Sequence, residues 1–166
     1  MLYRVLENLD RVFHFERADA HCDIPCGIYD PHGAQVAALT VIRMIDLMTE
    51  FTASHTAGDA EYFNTMARYV AVKEEHAEGC KREVRVIWGD YFKQEHVDKF
   101  PELHALTHKI MQLGSKCRQT ASRETALQLL EAVNRFAEIY WETKGVATKR
   151  VKAPYKPGEE IVHPQL

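Results

Sequence analysis

Long apolar runs are missing from this sequence. The greasiest stretch, Val36 to Met48, is broken by Thr40, Arg43 and Asp46. A bilayer-spanning helix needs about 20 consecutive apolar residues, so no membrane partner is expected. Excess positive charge is also missing. The net charge of -3 provides no basic stripe for a phosphate backbone, and nucleic acid is set aside as a partner. Cysteine is sparse: four residues in a chain that is 46% hydrophobic, long enough to bury one sizeable core without disulfide staples. Glycine and proline are scarce between residues 34 and 144 but dense on either side, and that contrast divides the chain.

Residues 1–20 mix apolar side chains (Leu2, Val5, Leu6, Leu9, Val12, Phe13) with charges of both signs at roughly helical spacing. Glu7, Asp10 and Arg11 interrupt any continuous apolar region of the kind a secretory signal needs. The small residues that end Arg17-Ala18-Asp19-Ala20 suit a processing site. From 21 to 33, Pro25, Gly27, Pro31 and Gly33 exclude regular structure.

Four helical patterns follow across residues 34–144. Val36, Leu39, Ile42, Ile45 and Met48 mark the first, which should run to about Thr52. The second should start at an Asp59 N-cap and keep its phase from Tyr62 to Tyr91, almost to Lys93, with Gly79 tolerated inside it. Pro101 opens the third, lined by Leu103, Leu106, Ile110 and Leu113. Ser122 or Thr120 caps the fourth, whose core face reads Ala126, Leu129, Val133, Phe136, Ala137 and Tyr140. No β-type alternation competes, and residues 145–166 read as an extended tail marked by Pro154, Pro157, Gly158 and Pro164. The expected class is all-α: an up-down four-helix bundle with an N-terminal hook at 21–33 and a C-terminal tail.

The chemistry concentrates in His21-Cys22-Asp23-Ile24-Pro25-Cys26-Gly27-Ile28-Tyr29-Asp30-Pro31. Two thiolates four residues apart can turn back on one ion, with Pro25 stiffening the return and Gly27 freeing the bend. Two sulfurs alone suit zinc, copper or iron–sulfur clusters, each normally with further protein ligands. Cleavage before His21 would supply those donors from the backbone: a free α-amine and the amide nitrogen between His21 and Cys22, in one plane with both sulfurs. The His21 imidazole could then approach from above. Square-planar nitrogen–sulfur coordination favours Ni(II) or Cu(II). A Cys22–Cys26 disulfide, a zinc hook shared between chains and coincidence are the competing readings of these residues alone. Cys80 and Cys117 lie singly within helical patterns and read as small buried hydrophobes.

The eleven-residue string resembles the nickel hook of the nickel superoxide dismutases. Trp88-Gly-Asp-Tyr-Phe-Lys93, Phe100-Pro-Glu-Leu-His104 and Tyr140-Trp-Glu-Thr-Lys144 also resemble stretches of that family, so the likeness spans about residues 21 to 144. It implies a four-helix bundle, a homohexamer, and proteolytic removal of residues 1–20 to expose His21. It also implies one nickel ion per subunit and disproportionation of superoxide to dioxygen and hydrogen peroxide. His21 would give the amine and the axial imidazole, Cys22 its amide nitrogen and sulfur, and Cys26 its sulfur. Tyr29 corresponds to the tyrosine that guards the open face of the metal, Tyr91 to its hydrogen-bonding neighbour, and Asp23 to a residue that shapes the hook. Tyr91 also reads as an ordinary core aromatic. Lys93 matches a family lysine and could help draw in the superoxide anion through its field, and it reads equally well as solvent decoration.

One departure stands out. The resemblance implies a glutamate and an arginine that hold the axial imidazole, but those positions fall on Ala37 and His76. Neither can form that charge-assisted bridge, and losing such support commonly costs 10–100-fold in metal affinity or activity. His76, Glu74 and Glu75 are candidates to replace it. A nickel or copper chaperone using the same hook, and a structural oligomer with an incidental cysteine pair, are the other functional readings. The cytoplasm is the expected compartment, since free thiols persist in reducing surroundings.

Overall fold

The computed structural model describes residues 26–166. His21, Cys22, Asp23 and the leader at 1–20 lie outside the described residues. Among the described residues five α-helices follow one another: α1 His32–Ser54, α2 Ala60–Val86, α3 Gln94–Lys99, α4 Leu103–Gln119 and α5 Arg123–Thr143. Two strands, β1 Thr148–Lys152 and β2 Glu160–Pro164, end the chain.

The four long helices close a ring: α1 packs on α2, α2 on α4, α4 on α5, and α5 back on α1. This is the expected bundle, and its apolar stripes meet in one core. Ile42, Ile45, Val84, Leu103, Ile110, Leu129, Val133 and Phe136 are all essentially inaccessible to water. Burying each such side chain contributes about 1.5–3 kcal/mol. The predicted caps are in place: Asp59 accepts a hydrogen bond from the Tyr62 N–H, and Ser122 from the Thr125 N–H. Each satisfies a donor that the first helical turn would otherwise leave open. At Gly114 a Cβ would stand 2.7 Å from the Lys81 stem and 3.4 Å from the Ala77 carbonyl, so the α2–α4 crossing is close there. Among the described residues no helix is long and apolar enough to cross a membrane.

Three features differ from the sequence expectation. The long second helix does not run on to Lys93; it gives way after Val86 to a π-helical turn at Ile87–Tyr91, closed by the Phe92 N–H donating to the Ile87 carbonyl. A π turn inserts one extra residue into the helical phase, so it shifts Trp88 and Tyr91 off the stripe laid down by α2. The short α3 was not anticipated. Its cap comes from Lys93 and from His96, whose Nδ1 accepts the Lys93 N–H.

The third difference is in the tail, which forms an antiparallel hairpin with Arg150 opposite Val162. Side chains of α1 and α5 hold it to the bundle. Gln35 Nε2 donates to the Val162 carbonyl and Asn134 Nδ2 to the Glu160 carbonyl. Arg150 forks onto Glu131 and also reaches Glu138, while Arg123 joins Asp46 of α1 to Glu159. Ile161 and Val162 are buried, yet most of β1 faces solvent. A strand whose side chains are almost all exposed carries no apolar alternation to find.

Candidate metal centre

The described part of the hook begins at Cys26, which is exposed. Gly27 follows in the left-handed region at φ +70°, a conformation that L side chains rarely adopt. The chain therefore turns sharply just past the second sulfur, as the hook reading requires. Ile28 stands 79% exposed at the bend. Beyond it the chain is anchored: Pro31 is buried, and Asp30 Oδ1 accepts the His32 N–H at 2.8 Å just ahead of α1.

Tyr29 ties this root to the bundle. Its carbonyl accepts the Tyr140 hydroxyl of α5, and its ring lies 5.8 Å from that of Tyr91. Tyr91 in turn lies 4.9 Å from Tyr140 and stacks on His96 at 5.3 Å. The π turn thus delivers Tyr91 into an aromatic wall beside the hook. Burial, helped by the nearby Tyr91, Asp30 and Tyr29, pushes the Tyr140 hydroxyl up to about 12. It stays protonated and keeps donating to the Tyr29 carbonyl.

The Tyr91 hydroxyl meets Thr143 Oγ1 at 2.7 Å, and Thr143 Oγ1 donates its single proton to the Tyr140 carbonyl. Tyr91 must then be the donor to Thr143, which leaves its lone pairs as the part of the hydroxyl still available to other groups. Lys144 Nζ sits over the Tyr91 ring, 4.4 Å from its centroid. Lys93 is exposed at the start of α3, with its Nζ donating to the Asp90 carbonyl at 2.9 Å.

The other two described cysteines are of a different kind. Cys80 and Cys117 are fully buried, and burial pushes their thiols up to about 12 and about 11. Neither offers a thiolate near neutral pH. Among the described residues no group of three or more His, Cys, Asp or Glu side chains is placed to hold a metal ion. Cys26 is thus the described thiol whose exposure and turn geometry fit a nickel–sulfur donor set.

Ala37 lies buried in the core of α1. His76 is half-buried, with its Nδ1 2.9 Å from the Val72 carbonyl, so Nδ1 is the donor in that contact. Of the suggested carboxylates, Glu74 is half-buried and Glu75 exposed. Sequence reasoning missed Glu83, whose Oε2 lies 3.6 Å from where a Cβ would stand on Gly33, so a carboxylate faces the first turn of α1. It also gave Lys144 no role. Both depend on contacts between helices that a linear pattern does not display.

Residues 16–144 match the family described as nickel-containing superoxide dismutase. The Superoxide dismutase [Ni] of Streptomyces coelicolor is 36% identical over 125 residues, covering 75% of this chain and 88% of that protein. The enzyme of the same name from Streptomyces seoulensis is 34% identical over 128 residues, covering 77% and 91%. A native nickel superoxide dismutase structure aligns with TM-score 0.65 at 34% identity, covering 75% of this chain and 99% of that one. Its apo counterpart aligns with TM-score 0.63 at 31% identity. The hairpin lies beyond the residues that the family match covers. An exposed thiol at Cys26, a tyrosine wall beside it and a bundle of matching fold agree with these likenesses: the chain belongs to the nickel-containing superoxide dismutase family, enzymes that carry nickel and act on superoxide.

Proposed function

We propose that the mature enzyme starts at His21 and holds one nickel ion per subunit. Its donors are the His21 α-amine and imidazole, the Cys22 amide nitrogen and sulfur, and the Cys26 sulfur. The observation that carries this reading is the state of Cys26: exposed, followed by a left-handed turn, and tethered through Tyr29 to α5. Nickel held by thiolate and amidate supplies a one-electron couple suited to superoxide. The net reaction consumes two superoxide anions and two protons and yields one dioxygen and one hydrogen peroxide.

The chain's own residues set the stage for that exchange. Tyr140 fixes the Tyr29 backbone, so the hook root holds its place against the bundle. Tyr91, oriented by Thr143, backs the Tyr29 ring and confines the approach to small species. The Tyr29 hydroxyl guards the open metal face, Asp23 shapes the hook, and Lys93 adds positive potential nearby. Removal of residues 1–20 by a processing protease frees the amine. Assembly as a homohexamer, and residence in the cytoplasm where thiols stay reduced, complete the reading.

Mass spectrometry of the processed, metal-loaded protein tests this directly. The expected species begins at His21 with one nickel per chain and accelerates superoxide decay, and light scattering should return six chains. A nickel-loaded, active protein that still begins at Met1 would overturn the ligand set.

A further inference from the structure

Gln35 joins two parts of the molecule that the sequence sets far apart. Its backbone N–H donates to the Pro31 carbonyl at 3.2 Å, across the junction between the irregular chain after Cys26 and α1. Its side chain is 1% exposed and donates from Nε2 to the Val162 carbonyl of β2 at 3.1 Å. One residue further along β2, the His163 ring lies 6.0 Å from that of His32, tilted by 45°. The C-terminal hairpin therefore meets α1 at its first turn, beside the Tyr29–Pro31 segment that follows the bend at Gly27.

Packing alone does not account for a glutamine here. Its Oε1 is buried with no hydrogen-bond partner, a desolvated acceptor that an apolar side chain of the same length would avoid. What the amide provides in return is the bond to β2. The hairpin's turn end is held by different contacts, chiefly Arg123 between Asp46 and Glu159. Asp46 lies well along α1 from His32, about 21 Å at 1.5 Å per residue. The hairpin is thus fixed at two distant places, and one of them is the chain behind the hook.

We propose that the C-terminal hairpin braces the metal hook, with Gln35 as the positioning residue: by fixing Pro31 and His32 it limits opening of the hook root and slows nickel release. The inference rests on the nickel reading of the hook and adds to it a segment beyond the family match. An ion held on an exposed bend escapes when the bend opens, and local opening is governed by how firmly the neighbouring chain is held. Tyr140 holds that chain from α5 at the Tyr29 carbonyl; Gln35 and His163 hold it from the tail at Pro31 and His32. Loss of a group that supports a metal site commonly costs 10–100-fold in metal affinity.

Gln35→Met tests the brace, since it keeps the length of the side chain and deletes the amide. In mature, nickel-loaded protein mixed with excess EDTA, loss of the nickel–sulfur absorption should be about tenfold faster in Gln35→Met than in wild type. Protein lacking residues 147–166 should release nickel at least as fast. Arg123→Gln, which loosens the hairpin only at its turn end, should keep the wild-type rate. In the metal-free proteins the N–H of residue 35, bonded to the Pro31 carbonyl, should exchange with solvent about tenfold faster in Gln35→Met. Wild-type release rates in Gln35→Met and in the shortened protein would overturn the proposal. So would an equal acceleration in Arg123→Gln, which would mark a general loss of stability. Processed wild-type protein that takes up no nickel would refute the metal-site reading instead.

Discussion

Cys26 stands exposed in irregular chain beside a left-handed glycine, where its side chain reaches solvent. Cys80 and Cys117 stand on α2 and α4 with no access to water, their thiols pushed up to about 12 and about 11 by burial. One residue type thus serves two purposes, and the surroundings decide which. In the first region the backbone is arranged around the sulfur. In the second the sulfur is one more apolar volume in a packed core. The distinction matters because superoxide chemistry generates peroxide: thiols sealed in the core are shielded from it, and only those committed to the metal need face it.

The sharpest way to break this contrast is one substitution made in both regions. Cys26→Ser should abolish superoxide dismutase activity and leave the bundle intact by circular dichroism, because serine replaces a donating sulfur with a hard oxygen outside the core. Cys80→Ser should do the reverse. A hydroxyl placed without a partner among apolar neighbours costs about 1–3 kcal/mol of stability, read in urea denaturation, with activity per folded nickel-loaded chain preserved. Substantial activity in Cys26→Ser at one nickel per subunit would end the two-thiolate assignment.

A comparable loss should follow if residues 1–20 are retained. In the uncut chain the His21 nitrogen is an amide bonded to Ala20, a far poorer donor than a free amine. Protein shown by mass to keep the leader should therefore be inactive even with nickel supplied. Blocking the cut with a substitution at Ala20 and then measuring superoxide decay separates this from slow processing; full activity in the blocked chain would contradict the proposal.

The bundle and the hook were legible for different reasons, and the hairpin and aromatic wall were not. Apolar residues at helical spacing predict α1, α2, α4 and α5, and Asp59 and Ser122 mark two of their starts because a side-chain cap is a local, short-range device. The hook reading rests on the likeness of the whole eleven-residue string to the family, because two cysteines beside a histidine leave zinc, a disulfide and coincidence open; of its proposed metal donors only Cys26 lies among the described residues. The π turn at Ile87–Tyr91 escaped notice since it shifts phase by one residue within an unbroken helical pattern. The hairpin escaped because its docking uses Gln35, Asn134 and Arg150, polar side chains that read as surface until their partners are known. The Tyr29–Tyr91–Tyr140–Lys144 cluster draws on three separate segments, so only packing brings it together.

The buried region can be probed through pH. Folding raises the Cys80 thiol from 9.0 to about 12 and that of Cys117 to about 11. Below pH 9 both states keep these protons, so the stabilisation is fully present. Above it the unfolded chain loses protons that the folded chain retains, and stability falls with a slope of up to about 1.4 kcal/mol per pH unit for each group. Tyr140 adds to the loss above pH 10. Lys73, buried with its Nζ on the Cys117, Arg118 and Thr120 carbonyls, acts in the opposite sense because burial lowers it. Cys80→Ala should therefore flatten the alkaline limb of stability against pH. An identical slope in both proteins would show that Cys80 is not the titrating group.

The smallest expected effect lies at the edge between the two regions. Tyr29 is half-buried, its backbone anchored by Tyr140 and its ring against Tyr91, so Tyr29→Phe should keep both the tether and the packing. Nickel binding should be nearly unchanged, since the ring stands three residues beyond Cys26 and supplies no ligand. What disappears is the hydroxyl, and, on the proposed gating role, one hydrogen bond to a small anion or water at the approach, worth about 0.5–1.5 kcal/mol net. Expressed as a rate, that is about a two- to tenfold change in turnover, because about 1.4 kcal/mol corresponds to tenfold. The measurement is superoxide decay over a wide substrate range with hydrogen peroxide added, which separates turnover from product handling. Loss of nickel from the variant would move Tyr29 into the structural region with Tyr140. Unchanged turnover, saturation and peroxide sensitivity would reduce it to packing and leave the approach to Tyr91 and the lysines.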